Sequence, residues 1–296
     1  MRSVALIVNP FASGVDERKL ERVVGAFERV AEIRVVRTER RGHATDLAAE
    51  TGAGADAVLA FSGDGGFNEV LNGLAVDVPV GFVPGGAANV LPRALGLPRD
   101  PVRAAERLAE SLALGRTRRI SLGRVNGRRF GFAAGVGFDA ELIRRIEAKG
   151  RSSAGRRRGS LYALGAATRI LAERRGTIDP ALDVEGLGRA AFALVANTDP
   201  YTYVGPLPLH ACPAARFELG LDVAAPESVR PRSLPRLLAY AVTGRRRPPY
   251  VLSGHDLDRI EVVCDRPLPL QADGEDLGDV GRALFESERA AVTVYI

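Results

Sequence analysis

The chain has 296 residues, of which 26% are charged and 46% hydrophobic, and a formal net charge of +5 at pH 7. That length holds one large or two ordinary domains, and that composition excludes a disordered or fibrous chain. The positive excess is almost entirely arginine, since only Lys19 and Lys149 are lysines, and no interleaving of basic and aromatic residues suggests a nucleic-acid partner.

Cys212 and Cys264 stand far apart, without the pair spacing of a zinc or redox site, and read as buried reduced thiols. The first apolar run, Val4 to Val8, stops at Asn9-Pro10 and is too short for a signal or membrane-spanning segment. A cytoplasmic protein is expected, with any membrane contact peripheral.

In chain order, Ser3 to Val8 predicts a buried strand ending in Asn9-Pro10-Phe11-Ala12-Ser13-Gly14, a loop of turn residues in which Asn9, Ser13 and Gly14 can meet phosphate. Leu20, Val23, Val24, Phe27, Val30 and Ala31 fall at helical spacing, and Ile33 to Val36 predicts the next strand. Thr38, Gly42 and His43 then lead into a helix over 44–51. Ala57 to Phe61 is a third strand, feeding Ser62-Gly63-Asp64-Gly65-Gly66 and a helix through Leu74. Val78 to Val83 repeats the pattern before Pro84-Gly85-Gly86-Ala87-Ala88-Asn89 and a helix to Leu95; Asp100-Pro101 caps a further helix that stops at Gly115.

Three strands thus end in small-residue loops that each meet a helix. In a right-handed parallel sheet such loops gather at the carboxyl ends of the strands, where open α/β sheets bind ligands. Glycines at these junctions permit positive φ and close backbone approach, and helix starts present amides to anions. Asp64 is the exception, because a carboxylate facing phosphate repels it unless it binds a metal ion, takes a proton or caps a helix.

Beyond Arg116 the pattern becomes mostly antiparallel, with strands over 121–125, 130–134, 190–196, 217–223, 260–263 and 291–295, an Asn126-Gly127 hairpin, and helices over 140–146 and 160–174. Two domains are expected, 1–118 and 119–296, with the last residues free to return to the first. Asp139 reads as a helix cap or a site carboxylate, and Asp273-Gly274-Glu275 as a plain hairpin turn or a functional one. His43, His210 and His255 lack ligand spacing. The basic run Arg144, Arg145, Lys149, Arg151, Arg156, Arg157 and Arg158 reads as a solvated loop or as a contact for an anionic membrane.

Five ordered blocks span almost the whole chain: Asn9-Pro10 with Ser13-Gly14; Ser62-Gly63-Asp64-Gly65-Gly66 with Glu69-Val70 and Asn72-Gly73-Leu74; Pro84-Gly85-Gly86 with Asn89; Gly135-Val136-Gly137-Phe138-Asp139-Ala140; and Asp273-Gly274-Glu275. Together they resemble the diacylglycerol kinase catalytic-domain family, which includes sphingosine kinases and soluble bacterial lipid kinases. The resemblance implies an α/β plus β fold, with an N-terminal Rossmann-like domain akin to NAD kinases and phosphofructokinases and a C-terminal antiparallel β-sandwich. It implies transfer of the γ-phosphoryl of ATP to a lipid hydroxyl with Mg²⁺, ATP and lipid meeting in the cleft. On that basis Asn9, Pro10, Ser13, Gly14, Thr38, Ser62, Gly63, Asp64, Gly65, Glu69, Gly85, Gly86 and Asn89 belong to the nucleotide site. Asp64, Asp139, Asp273 and Glu275 are the catalytic carboxylates, and Asp64, Asp273 and Glu275 the metal candidates through the nucleotide.

Departures from the family pattern are Ser62 for its first Gly, Gly66 for its Thr, Ala87 and Val90 for Thr and Asp in the third loop, and Glu218-Leu219 for Asp-Gly at a structural metal. Neither a Walker nor a protein-kinase signature is present. An NAD kinase-like enzyme and a catalytically silent lipid or nucleotide sensor are the competing readings. The lipid and the oligomeric state are not readable.

Overall fold

The structure is a computed structural model that describes residues 2–74, 77–150 and 160–296. It divides into two units, Met1–Ile120 with Ala290–Ile296, and Ser121–Arg289. Among the described residues no helix is long and apolar enough to cross a membrane.

The first unit is built on β1 (Arg2–Val8), α1 (Glu17–Phe27), β2 (Ala31–Arg37), α2 (His43–Gly52), β3 (Ala57–Ser62), α3 (Asp64–Gly73), β4 (Val80–Pro84), α4 (Val90–Ala94) and α5 (Pro101–Leu114). β2, β1, β3 and β4 lie side by side in that order, all parallel. At the far edge Val294 pairs with Val80, also in parallel. Every residue of β3 is buried, as a strand covered by helices on both faces must be. The core gathers Leu6, Val23, Phe27, Leu59, Leu108 and Leu112, and burying each such side chain stabilises by about 1.5–3 kcal/mol.

Helix ends obey their local chemistry. Asp16 accepts from the Lys19 amide at the start of α1, and Asp100 accepts from the Val102 and Arg103 amides at the start of α5. Gly115 ends α5 in the left-handed conformation, φ 64°. α1 stops at Phe27, short of the end of its apolar spacing, because Ala31 is already in β2, paired with Arg2.

The second unit is rich in antiparallel strands: β5 (Thr117–Val125), β6 (Arg128–Phe130), β7 (Ala133–Val136), α6 (Phe138–Gly150), α7 (Ser160–Glu173), β8 (Leu182–Val184), β9 (Gly188–Ala190), β10 (Ala193–Ala196), β11 (Thr202–Val204), β12 (Leu207–Leu209), β13 (Leu221–Pro226), α8 (Leu234–Thr243), β14 (Val251–Leu257), β15 (Arg259–Ala272) and β16 (Glu275–Tyr295). Its sheet runs β14-β13-β10-β7-β15-β16. Phe130, Val195, Val223, Val262, Leu270 and Phe285 are among the residues of its core. Asn126 and Gly127, both at positive φ, turn the predicted β5–β6 hairpin. Both cysteines are free thiols; Cys212 is buried and Cys264 only partly so.

The sequence expectation differs most at β15, which is far longer than 260–263. Pro267 and Pro269 hide it, and the ladder accommodates them where its register shifts, between Val263 and Leu268 and between Pro269 and Gln271. α8 and β14 have no counterpart in the sequence reading, because the prolines and arginines between them mask both periodicities.

α2 and α3 touch through backbone. A Cβ at Gly73 would lie 2.8 Å from the Thr45 carbonyl carbon and closer still to its oxygen. Gly73→Ala is therefore expected to lower unfolding stability by about 1–3 kcal/mol, the range for overpacking a rigid contact. Urea denaturation beside Gly25→Ala, where a Cβ meets nothing within 4 Å, checks it.

Candidate phosphate site and buried carboxylates

Three loops of the first unit are joined through their backbones. The Asn9 amide donates to Phe61 O (3.0 Å), the Gly14 amide to Gly85 O (2.8 Å) and the Gly85 amide to Ser62 O (2.6 Å). At these distances there is no room for side chains. A Cβ on Gly14 would stand 2.9 Å from Gly85 O, one on Gly86 would stand 2.7 Å from Gly63 Cα, and one on Gly85 would meet Val15 at 2.7 Å. Positive φ is not the reason for these glycines: Gly63 lies at φ −96°. Gly14, Gly65, Gly66, Gly85 and Gly86 are also absent from the left-handed glycines. Close approach accounts for Gly14, Gly63, Gly66, Gly85 and Gly86.

α3 begins at Asp64, directly after the strand-ending Ser62-Gly63 step, so Gly65 and Gly66 form its first turn. Amides of a first turn have no intrahelical acceptor and bind anions. Beneath that turn the Ser62 hydroxyl is buried, in a residue 4% exposed, and makes no hydrogen bond among the described residues. A Cβ at Gly66 would collide with that hydroxyl and lie 2.8 Å from Ser62 Cβ. Ser62 therefore fills the space a side chain at 66 would take.

The other first-unit residues singled out in the sequence serve the junction in different ways. Asn9 Oδ1 accepts from the Phe11 amide (3.0 Å), and Asn89, held at φ 50°, brackets Gly86 by accepting from its amide and donating to its carbonyl, both at 2.7 Å. Ser13 is exposed and Pro10 lies in the turn after β1. Thr38 is buried and its amide donates to Val8 O, 2.9 Å. Glu69 faces α2: it accepts from the Gly42 amide (2.9 Å) and the Ala44 amide (3.1 Å), capping that helix. Asp64, 9% exposed, accepts from the Leu91 amide at 3.2 Å in the first turn of α4. The unexplained carboxylate thus caps a helix, but a neighbouring one.

In the second unit Asp139 opens α6 and its Oδ2 accepts from the Tyr201 hydroxyl (2.8 Å) and Gln271 Nε2 (2.6 Å). Burial pushes its carboxyl pKa up, against the lowering effect of those two hydrogen bonds. Burial, together with the neighbouring Asp139 charge, holds the Tyr201 pKa well above its usual value, so the phenol stays a donor. Asp273 and Gly274, at φ 48° and 78°, form a two-residue turn between β15 and β16. The turn nonetheless uses its carboxylate: Asp273 accepts from the amides of Gly131 (2.6 Å), Phe132 (3.0 Å) and Ala133 (3.2 Å). Glu275 is ion-paired with Arg128 at 2.6 Å.

Sequence reasoning did not find Tyr201, Gln271 or Arg128, which lie outside the motif blocks and reach the carboxylates only through the sheet. Two of the isolated histidines have acid partners, His210 with Asp199 and His255 with Asp222, both at 2.8 Å. Arg144 is bound to Asp276 (2.8 Å) and Asp279 (2.7 Å), and Arg145 to Glu141 (2.6 Å) and Glu173 (2.8 Å). Arg151, Arg156, Arg157 and Arg158 lie outside the described residues, and the side chain of Lys149 is likewise undescribed. Among the described residues no group of three or more His, Cys, Asp or Glu side chains is placed to hold a metal ion.

Gly66→Thr alone is expected to lower the melting temperature, whereas the double variant Ser62→Gly/Gly66→Thr recovers it. Calorimetric melts of the parent and the two variants measure this coupling, and additive effects would remove it. For Asp139, a raised folded pKa means that burying the charge costs stability at neutral pH, a cost that vanishes as pH falls below the unfolded carboxyl value. Asp139→Asn should therefore gain in melting temperature over the parent near pH 8 and lose that advantage toward pH 4.

Residues 3–125 match the family model described as the diacylglycerol kinase catalytic domain, so the resemblance drawn from the sequence blocks holds over that region. A diacylglycerol kinase of Bacillus subtilis (strain 168) is 35% identical over 155 residues, 50% of each chain. A sphingoid long-chain bases kinase 1 of Arabidopsis thaliana is 35% identical over 113 residues, 34% of this chain and 15% of that one. The chain spans about half the length of the first bacterial relatives it matches. A putative diacylglycerol kinase from Bacillus anthracis str. Sterne shares the fold at TM-score 0.78 and 21% identity, over 99% of this chain and 95% of that one. An NAD kinase from Archaeoglobus fulgidus, solved in complex with ATP, is more distant, at TM-score 0.51 and 14% identity over 99% and 93%.

Proposed function

We propose that the chain, whose residues 3–125 carry the match to the diacylglycerol kinase catalytic domain, transfers the γ-phosphoryl group of ATP to a lipid hydroxyl of diacylglycerol or sphingoid type. The observation that carries this reading is the three-loop glycine junction with an unpartnered buried hydroxyl beneath the first turn of α3. Phosphate oxygens are the partners such a site lacks: they accept from backbone amides and from a hydroxyl, and they need the close approach that side chains would block. Ser62 carries a hydroxyl beneath the same turn, in the space a side chain at 66 would take, so the departure from the family pattern moves a hydroxyl rather than deleting one.

In this reading the bond from the γ-phosphorus to its bridging oxygen breaks as a bond to the lipid oxygen forms, and the hydroxyl proton passes to a carboxylate. Glu275 is the proposed acceptor, held in place by Arg128. Asp273 keeps the turn that carries Glu275 and is spent on three amides. Mg²⁺, which takes few protein ligands and several phosphate or water oxygens, would offset the phosphate charge, with Asp64 in the first turn of α3 as the carboxylate offered to it.

Labelled ATP is supplied with detergent-dispersed diacylglycerol, a sphingoid base and an isoprenoid alcohol, and with NAD as a soluble acceptor. Label is expected in one of the lipids. Glu275→Gln should lower turnover by about 10²–10⁴ with ATP binding kept, the range for a removed general base. ATP binding without transfer to any acceptor would replace the enzyme with a silent binder, and transfer to NAD alone would replace the lipid.

A further inference from the structure

α8 has one face buried and one exposed. Tyr240 is buried and its hydroxyl donates to Ala211 O at 2.8 Å, while Leu234 and Leu237 pack on the cluster of Ile178, Phe192 and Val229. Bordering that face, Leu238 and Val242, one helical turn apart, are 62% and 41% exposed. Leu207, 42% exposed, lies on β12, which packs against α8.

Along the chain, the charge that flanks this patch has one sign. From Ser228 to His255 the chain holds six arginines and no aspartate or glutamate. Arg230 is paired with Asp179 and Arg247 donates to the Val251 carbonyl. Arg232, Arg236, Arg245 and Arg246 are exposed. Gly244 closes α8 in the left-handed conformation and Arg246 comes next but one at φ 55°, so the chain turns immediately beyond the helix and sets two of these arginines at its end.

We propose that the exposed face of α8, with Leu207 and the flanking arginines, is a docking surface for an anionic lipid bilayer. It rests on the lipid-kinase reading for its purpose but not for its support. Aliphatic side chains ringed by cations complement a surface that is apolar within and negative at its headgroups. A stable protein interface instead needs about 800 Å² from each side and is richest in aromatic anchors, and the exposed side chains of this face are aliphatic.

The experiment is co-sedimentation of the full chain with vesicles of phosphatidylcholine alone or mixed with phosphatidylglycerol, at low and high salt. Binding is expected only to the mixed vesicles, and weaker at high salt. Each cation at an anionic surface is worth about fivefold in binding, so Arg245→Glu/Arg246→Glu should weaken it by about 30-fold or more. Leu238→Ser/Val242→Ser should also weaken it, with melting temperature and phosphotransfer to detergent-dispersed lipid unchanged in both variants. No binding by the parent, or parental binding by both variants, overturns the proposal. So does a concentration-dependent dimer that Leu238→Ser/Val242→Ser dissolves while vesicle binding persists. Vesicle binding by a chain that phosphorylates nothing upholds this surface and overturns only the proposed reaction.

Discussion

Everything in the first unit is arranged around one constraint: three loops at the ends of parallel strands approach to hydrogen-bond distance through their backbones. Gly14, Gly63, Gly85 and Gly86 are small because another main chain occupies the place of a side chain. The parallel sheet supplies the convergence, since β1, β3 and β4 are neighbours and all run the same way. α3 then begins at the junction rather than near it, which leaves the unsatisfied amides of its first turn in that one place. The proposed anion site is a by-product of close packing, and the chemistry assigned to it depends on that packing.

The acidic residues show how a functional motif and a structural one share side chains. Asp64 and Glu69, neighbours within a single motif, each hold the first turn of a helix other than their own. Asp273 fastens its hairpin to the strand beside it through three amides. These charge-assisted bonds, of the kind worth about 1.5–3 kcal/mol each, preset the loops before any ligand arrives. Asp139 is the costlier arrangement, a carboxyl enclosed by Tyr201 and Gln271 whose burial works against its charge.

Much of this is legible in the sequence, for identifiable reasons. Buried parallel strands announce themselves as unbroken apolar runs, and Asp100-Pro101 with Gly115 marks both ends of α5. Asn126-Gly127 is enough to place its hairpin. The illegible part is tertiary. Nothing local says that Glu69 reaches Gly42, that Arg128 reaches Glu275, or that Tyr201 closes over Asp139, because each contact is created by the sheet order. β15 is hidden by prolines that its register shifts accommodate, and α8 by the arginines and prolines around it. Glycine at the loops is expected from the sequence partly for its φ freedom, whereas volume decides it.

Ser62 and Gly66 occupy one volume between them. The hydroxyl of one stands where the side chain of the other would be, so neither position has a preferred residue by itself. Placing a side chain at 62 before one at 66 is removed creates a collision. Removing the side chain at 66 first passes through glycine at both positions, a chain that lacks the hydroxyl but contains no clash. Stepwise change between the two arrangements, in either direction, therefore has a preferred intermediate. Position-by-position comparison with a family pattern would register two losses here, where the structure contains one displacement.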